Sequence, residues 1–529
     1  MVPKLTLTPP HEAENQIELS LRQSFESLQP SLKPPFSLTI PNPDEYAHLN
    51  RAILHAILTE PQFAKIHVKH LHALVTDGYA FFTNLLLKIV HHLYPKLTGS
   101  VKNQLLWITD EVVRVSAIGY DALLVFLMRQ IVGGDFSDGN LWLCTKLLTL
   151  LLDKWDCLLE EAPHVLCSAL YVFLRVLADH CRLNVEKLES LKRLEVHFCV
   201  KIVREEFHLC LKIGRDFIRL LQDLVHVPEF KSIWKDLMLN PSRFNTLGFE
   251  GVSQIYCTRT SSRYALLRIT PEMETQLRFL LTHVKLGHQK RHFMWFARKF
   301  LSEIDKETVI VDIVRFICCA HHPPNEIIQS DVVPRWAVIG WLLTSCRRKN
   351  YVEANVKLAL FYDWLFFDER VDNIMNIEPA ILLMVHSVPK YVDMTNTLLE
   401  FLLLLVDNYD MERKDIIVKG VSSAFRLLVS KGVIHSLDVL TSCPALSPPL
   451  KERLSRLLSC GKLGSSKGFM PALSGEYIAS SAHISRPLSY KFNCITRSAR
   501  ETNGVISAKV MYQTILPSYN TNFPNHGLS

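Results

Sequence analysis

Cys318 and His322 stand four residues apart in the run Cys318-Cys-Ala-His-His322. That spacing puts both side chains on one face of a helix and suits two ligands of a zinc ion. Tetrahedral zinc needs two further ligands, and the surrounding sequence supplies none, so the plain reading is a core cysteine and a helix-terminal histidine ahead of Pro323 and Pro324. Gly464-Ser-Ser-Lys-Gly468 matches the Gly-x-Ser-x-Gly pattern of hydrolases. The pattern works only as a sharp turn between a buried strand and a helix, and here it lies in a polar tail. Gly461-Lys-Leu-Gly464 lacks the spacing of a phosphate loop, and the acidic residues of Gly133-Gly-Asp-Phe-Ser-Asp-Gly-Asn140 sit at the wrong offsets for a calcium loop. The expectation is a protein that is not an enzyme, with no catalytic residue, no metal ligand and no cofactor.

Binding chemistry is better represented. Lys285, His288, Lys290, Arg291, His292, Arg298 and Lys299 surround Phe293, Trp295 and Phe296. Basic groups could track phosphates while rings stack on bases. The same pattern describes a solvated helix face with its aromatics turned inward, or a protein-docking face, since Arg and Trp are enriched at interface hot spots. Further on, helix-length segments near 330–346 and 355–368 carry Trp336, Trp341, Phe361, Tyr362, Trp364, Phe366 and Phe367, more ring surface than one helix face can hide. Core packing takes most of it, and the remainder is expected to meet a partner. Chemistry alone points to Lys290, Arg291, Trp295, Arg335 and Trp336 as partner-binding residues.

The elements that must position these residues are helices. Among 529 residues 48% are hydrophobic, enough for a large core. From residue 44 to about 459, helical periodicity recurs in blocks punctuated by Pro, Gly or Asn. Helices are expected from 44–58 through 447–459, with 12–28 also able to form one and 248–269 as the longest loop. Successive pairs occupy roughly 35–45 residues, the spacing of HEAT-like arrays. The predicted fold is all-α, a HEAT-like α-solenoid of stacked antiparallel helix pairs, with a Pro/Ser-rich segment at 1–43, a helical scaffold at 44–460 and a disordered basic tail at 461–529. The tail reads as the end of a truncated or splice-derived form. No apolar stretch is expected to reach the ~18–20 residues that cross a bilayer. The 13 scattered cysteines read as reduced core residues. The net charge is +7, of which the last 69 residues, with seven Lys/Arg against two Glu, hold +5, leaving +2 for residues 1–460. A bulk basic surface for nucleic acid is not supported.

Several long segments carry a resemblance. They include Gly214-Arg-Asp-Phe-Ile-Arg-Leu-Leu-Gln222, Val227-Pro-Glu-Phe230, Trp234-Lys-Asp236, Arg259-Thr-Ser261 and Leu267-Arg-Ile-Thr-Pro-Glu-Met-Glu-Thr275. Gln289-Lys-Arg291, Pro334-Arg-Trp-Ala-Val-Ile-Gly-Trp-Leu-Leu343, Lys357-Leu-Ala-Leu-Phe-Tyr-Asp-Trp-Leu-Phe-Phe367 and Ile374-Met-Asn-Ile-Glu-Pro-Ala-Ile381 continue the set. Leu58-Thr-Glu-Pro61 and Gln104-Leu-Leu-Trp107 extend it toward the start. Over about 45–458 the chain resembles the Integrator subunit three family, whose members also scaffold the sensor-of-single-stranded-DNA (SOSS) complex. The resemblance implies a non-catalytic, HEAT-like nuclear protein, with the cytoplasm also open. It implies binding to an OB-fold single-stranded-DNA-binding protein and a small acidic companion subunit through this N-terminal half. It further implies service in the DNA damage response, double-strand-break repair, small nuclear RNA 3′-end processing and transcription termination. Contact with other Integrator subunits is expected mainly through a second, C-terminal helical domain that this sequence does not match. Nucleic acid is expected mainly as an indirect partner and membrane not at all. The alternative expectation is direct nucleic-acid binding through the 285–299 patch and the basic tail.

Overall fold

A computed structural model describes residues 3–7, 14–34, 41–302, 307–346 and 350–460 of the chain. The 461–529 tail and parts of the 1–43 segment therefore lie outside the described residues. Helices dominate, and the only strand-like pairings among the described residues are two isolated bridges, Thr6 with Leu97 and Lys285 with Val332. The all-α helical-repeat class expected from periodicity is what the chain adopts. Cα packing divides it into two compact units, residues 1–362 with 371–383, and residues 363–370 with 384–529.

The first unit is built by helices that lean mainly on chain neighbours. Gln16–Leu28 packs on Pro43–Thr59, which packs on Ala64–Leu74 and Gly99–Arg114. Their ends are set locally: the Asn42 side chain accepts from the amides of Asp44 and Glu45 while Glu45 reaches back to Asn42, a capping box preceding Pro43. Pro163–Cys181 is the hub, touching Tyr120–Met128, Trp155–Glu161, Glu186–Glu205, Phe207–Leu211, Asp216–Gln222 and Ser262–Leu267. By length and composition this helix could cross a membrane, against the expectation that no stretch would qualify. In this fold 89% of its 18-residue apolar window is buried, because neighbours surround it on every side.

Charges enter this apolar centre and are matched there. Arg175 Nη1 lies 2.8 Å from Asp179 Oδ1, its Nε 3.5 Å from Asp312, and its Nη2 donates to the Thr308 carbonyl at 2.9 Å. Arg268 Nη2 stands 3.6 Å from Asp312. Gly133 lies against this cluster, where an added Cβ would come within 3.0 Å of Arg268 and 3.3 Å of Asp312. One turn along the hub, Asp216 accepts from Arg219 Nε at 3.1 Å, Arg315 Nη2 at 3.2 Å and the Tyr171 hydroxyl at 3.1 Å. Arg215 closes on Asp372 at 3.0 Å, and its carbonyl accepts from the Tyr362 hydroxyl at 2.7 Å. Burial alone would raise the Asp216 carboxyl, but Arg219 and Arg315 more than reverse this and hold it well below the usual range. Asp179 is likewise lowered, with Arg175 and Arg182 overcoming its burial.

In the second unit Val392–Asn408, Lys414–Ser430 and Pro448–Cys460 pack on one another. Trp364 meets Phe425 edge-on at 5.0 Å, and Asp407 joins Lys414 at 2.8 Å with Arg453 at 2.5 Å. Gly420 sits mid-helix where a Cβ would fall 2.5 Å from the Leu365 carbonyl oxygen and 2.9 Å from the Phe367 nitrogen. Only a residue without a side chain allows that close approach.

Two expectations change. The stretch 248–269 is not a loop but holds Val252–Cys257 and Ser262–Leu267, whose turns are too short to show a 3.6-residue period. Phe361, Tyr362, Trp364, Phe366 and Phe367 are all at most 5% exposed, so none of these five rings is left for a partner. Near the start, Leu5 and Thr6 are buried and buried Glu18 accepts from the Leu5 amide at 2.6 Å. The segment 44–460 runs through both units.

Two outcomes test these assignments. Gly→Ala inside a helix ordinarily stabilises by up to about 1 kcal/mol. Gly420→Ala should instead destabilise by roughly 1–3 kcal/mol through overpacking, whereas Gly139→Ala, with nothing within 4 Å, should not. Urea unfolding of both variants decides the sign. The second outcome concerns acid. Burial lowers the imidazoles of His55 and His321 from 6.5 to about 4, with Arg278 and Arg335 adding to the second. A depressed histidine stabilises fully above pH 6.5 and loses that contribution as pH falls toward 4, because the unfolded chain takes the proton first. Below about pH 4 the depressed Asp179 and Asp216 act in the same direction as the unfolded carboxylates protonate. The urea midpoint should therefore fall steadily from pH 7 to pH 3, and His55→Gln should flatten the part above pH 4.

Candidate functional site

The basic and aromatic patch maps onto an α-hairpin of the first unit, Pro271–His283 followed by Gln289–Phe300. Thr270 caps the first helix by accepting from the Met273 amide at 3.2 Å, with Pro271 in the first turn. The connection at 284–288 is pinned by Leu286 N to Asp331 O at 2.7 Å and Val333 N to Val284 O at 2.8 Å. Lys285 pairs with Asp331 at 2.8 Å, though both are exposed and the pair is worth little. Two contacts show the helices to be antiparallel: Lys299 pairs with Glu272, and His292 meets Phe279 at 5.8 Å between ring centroids.

The second helix divides its rings between two faces. Phe293 and Phe296 are buried, Phe293 stacking on Trp341 at 4.3 Å and Phe296 meeting that ring edge-on at 6.1 Å. Lys290, Arg291, Met294, Trp295, Arg298 and Lys299 occupy the opposite, exposed face. Met294 is 46% and Trp295 45% exposed, large values for residues of this type in a helix interior. The Lys299 ammonium lies over the Trp295 ring at 5.3 Å. Across the seam Phe279 is 43% exposed and stacks on His283 at 5.3 Å. Every acidic residue of the hairpin is engaged, Glu272 by Lys299 and Glu274 by Arg129 and Arg278. Lys290, Arg291 and Arg298 form no ion pair among the described residues. Lys290 and Arg291 also occupy the first turn, where no acidic residue balances the positive helix terminus.

Three of the five expected partner-binding residues, Lys290, Arg291 and Trp295, thus share one exposed face. Arg335 does not join them, and its assignment is corrected. It is buried, its Nη1 donates to the Ile317 and His321 carbonyls at 3.1 Å each, and its Nη2 pairs with Glu378. An arginine ahead of a tryptophan reads as surface chemistry, but here it ties three chain segments together. Trp336 is half-buried in the helix Arg335–Ser345 and already has an internal partner. Phe279 and Met294 escaped the sequence reading, although Phe279 stands seven residues after Glu272 and so on the same helix face.

The other motifs resolve into packing. His322 Nε2 donates to the Cys318 carbonyl at 2.9 Å, and the Cys318 thiol is buried. Asn140 clamps the 132–140 turn by accepting from the Val132 amide and donating to the Val132 and Asp135 carbonyls. The Gly464–Gly468 run falls outside the described residues.

Comparison with known proteins fits this architecture. The family model for the N-terminal part of Integrator complex subunit 3 matches residues 44–456. The chain is similar to Integrator complex subunit 3 of Mus musculus, 38% identical over 412 residues, covering 78% of this chain and 39% of the relative. The Homo sapiens protein of that name is 39% identical over 399 residues, 75% of this chain and 38% of the relative. The homolog of Dictyostelium discoideum is 40% identical over 397 residues, 73% and 26%. The chain spans about two fifths of the length of the animal relatives it matches. On the family match and these identities, the chain belongs to the Integrator complex subunit 3 family.

Proposed function

We propose that the chain is a non-catalytic scaffold subunit of an Integrator-type assembly in the nucleus. It holds an OB-fold single-stranded-DNA-binding protein and a small companion subunit, and thereby serves the DNA damage response, double-strand-break repair, small nuclear RNA 3′-end processing and transcription termination. The observation that carries this reading is the family match over 44–456, the region that forms the described helical body. The fate of the reactive side chains supports it. Several buried charges of the first unit are matched to one another, as in Asp216 with Arg219, Arg315 and Tyr171. Among the described residues the 271–300 hairpin is one surface that combines exposed cations with exposed apolar side chains, a composition suited to docking.

Mixing the full chain with the purified OB-fold protein should yield a single co-eluting species on size-exclusion chromatography at micromolar concentration. The two proteins emerging separately would defeat the scaffold reading. Nuclear Integrator subunits appearing with the tagged chain in an affinity purification would extend it to the larger assembly.

A further inference from the structure

Three arginines of the first unit line one cleft. Arg175 and Arg182 come from the hub helix and its C-terminal cap, and Arg219 comes with Asp223 from the end of Asp216–Gln222. Tyr351 and Asn355 of the helix Asn350–Leu365 face them across the space, and Thr308 forms part of the wall. The cleft holds about 340 Å³ of unoccupied space with its open mouth included. Its enclosed floor, about 10 Å³, has room for one water or one ligand oxygen.

Each guanidinium keeps donors that the protein leaves unspent. Arg219 gives its Nε to Asp216 at 3.1 Å, and no hydrogen bond engages its two terminal nitrogens among the described residues. Arg182 gives Nη1 to Asp179 at 2.7 Å and lies over the Tyr351 ring at 5.0 Å. Arg175 is 3% exposed, and its Nη1, although 2.8 Å from Asp179 Oδ1, is directed so that it makes no hydrogen bond. Asp179, which links two of these arginines, is occupied on both oxygens, Oδ1 by Arg175 and Arg182 and Oδ2 by the Thr308 hydroxyl at 3.2 Å.

We propose that this cleft binds a phosphate-class oxyanion, either the free ion or the phosphoryl end of a small molecule. A water can fill the floor but cannot neutralise a guanidinium, whereas an oxyanion makes charge-assisted bonds about twice as strong as neutral ones. A carboxylate has two coplanar oxygens, which one guanidinium already satisfies as a bidentate pair. Three guanidiniums on two elements, with Tyr351 and Asn355 on a third, suit the several oxygens of a tetrahedral anion instead. One oxygen takes the narrow floor and the rest lie in the wider mouth. Asp223 is the opposing charge in the described lining and weakens the site by repulsion. Because the lining comes from separate stretches of the chain, the bound anion ties these helices together and stabilises the first unit.

The test is differential scanning fluorimetry of the full chain at constant ionic strength, each variant read against its own ligand-free midpoint. Inorganic phosphate should raise the thermal midpoint saturably, with half the effect at about 1 mM or below, while acetate and chloride should not. Arg182→Gln should require about tenfold more phosphate for the same shift. Asp223→Asn, which keeps the shape and removes the opposing charge, should require about threefold less, a gain that a damaged fold could not produce. Glycerol 2-phosphate distinguishes the two sources. Binding as tight as that of inorganic phosphate identifies a phosphoryl group on a small carrier, and exclusion of the ester identifies the free ion; either result supports the site. A phosphate response no larger than that of acetate, or an unchanged response in both variants, would overturn the proposal. Tighter binding of a labelled oligothymidylate, lost in Arg182→Gln, would overturn it in favour of nucleic acid. The proposal does not depend on the scaffold reading, and co-elution with the OB-fold protein is a separate result whichever way the phosphate titrations fall.

Discussion

A charge taken out of water must be matched where it lies, and in the first unit this requirement organises the packing. Removing one partner of a buried ion pair typically costs about 3–5 kcal/mol, more than most apolar truncations at a surface. The hub helix Pro163–Cys181 carries Arg175 and Asp179 into its core, Val309–Cys319 carries Asp312 and Arg315, and Asp216–Gln222 carries Asp216 and Arg219. These helices are distant in sequence, yet each supplies the counter-charge of another. Apolar contact alone would tolerate a helix sliding or turning by one residue. The ionic network does not, because each guanidinium has a particular carboxylate or carbonyl to reach. Such pairs contribute little net stability, so their consequence here is a fixed register between helices that are not chain neighbours.

The segments that carry the family resemblance coincide with this network. Gly214 to Gln222 contains Arg215, Asp216 and Arg219, and Leu267 to Thr275 contains Arg268 and Glu274. Arg335 heads another segment, Tyr362 falls in the next and Glu378 in the last. Gly214 itself has φ +80°, and an added Cβ would lie 2.7 Å from the Thr258 carbonyl oxygen, which accepts from the Arg215 amide at 2.9 Å. Residue types that look like reaction chemistry when read along a line are, in space, the fasteners of a framework.

This also explains what the sequence could and could not reveal. Long helices are legible because an apolar stripe every 3.6 residues survives the insertion of an occasional charge, as in Pro163–Cys181 and Val392–Asn408. Val252–Cys257 and Ser262–Leu267 are not, since six residues make fewer than two turns. Buried arginines are illegible for another reason. Periodicity places Arg335 on a helix but cannot say that the carbonyls of Ile317 and His321 and the carboxylate of Glu378 converge on it. The partition of rings in Gln289–Phe300 was half legible. Spacing separates Phe293 and Phe296 from Trp295 by helical angle, yet only Trp341 stacked on Phe293 shows which side is inside.

The contrast between the two settings gives the hairpin its meaning. At the centre of the first unit even a charge of nearly zero exposure, such as Arg215, has a carboxylate at 3.0 Å. On the outer face of Gln289–Phe300, three cations form no ion pair among the described residues and stand beside two half-exposed apolar side chains. Solvated cations on a helix are ordinary, and single exposed apolar residues are ordinary too. Here both occur on the outer face of one helix, Met294 and Trp295 beside Lys290, Arg291 and Arg298. Phe293 and Phe296 anchor that helix on its inner side against Trp341, while Trp295 keeps the Phe300 ring at 6.2 Å and the Lys299 ammonium at 5.3 Å as its neighbours. The inner rings therefore fix which face of the helix is presented to solvent.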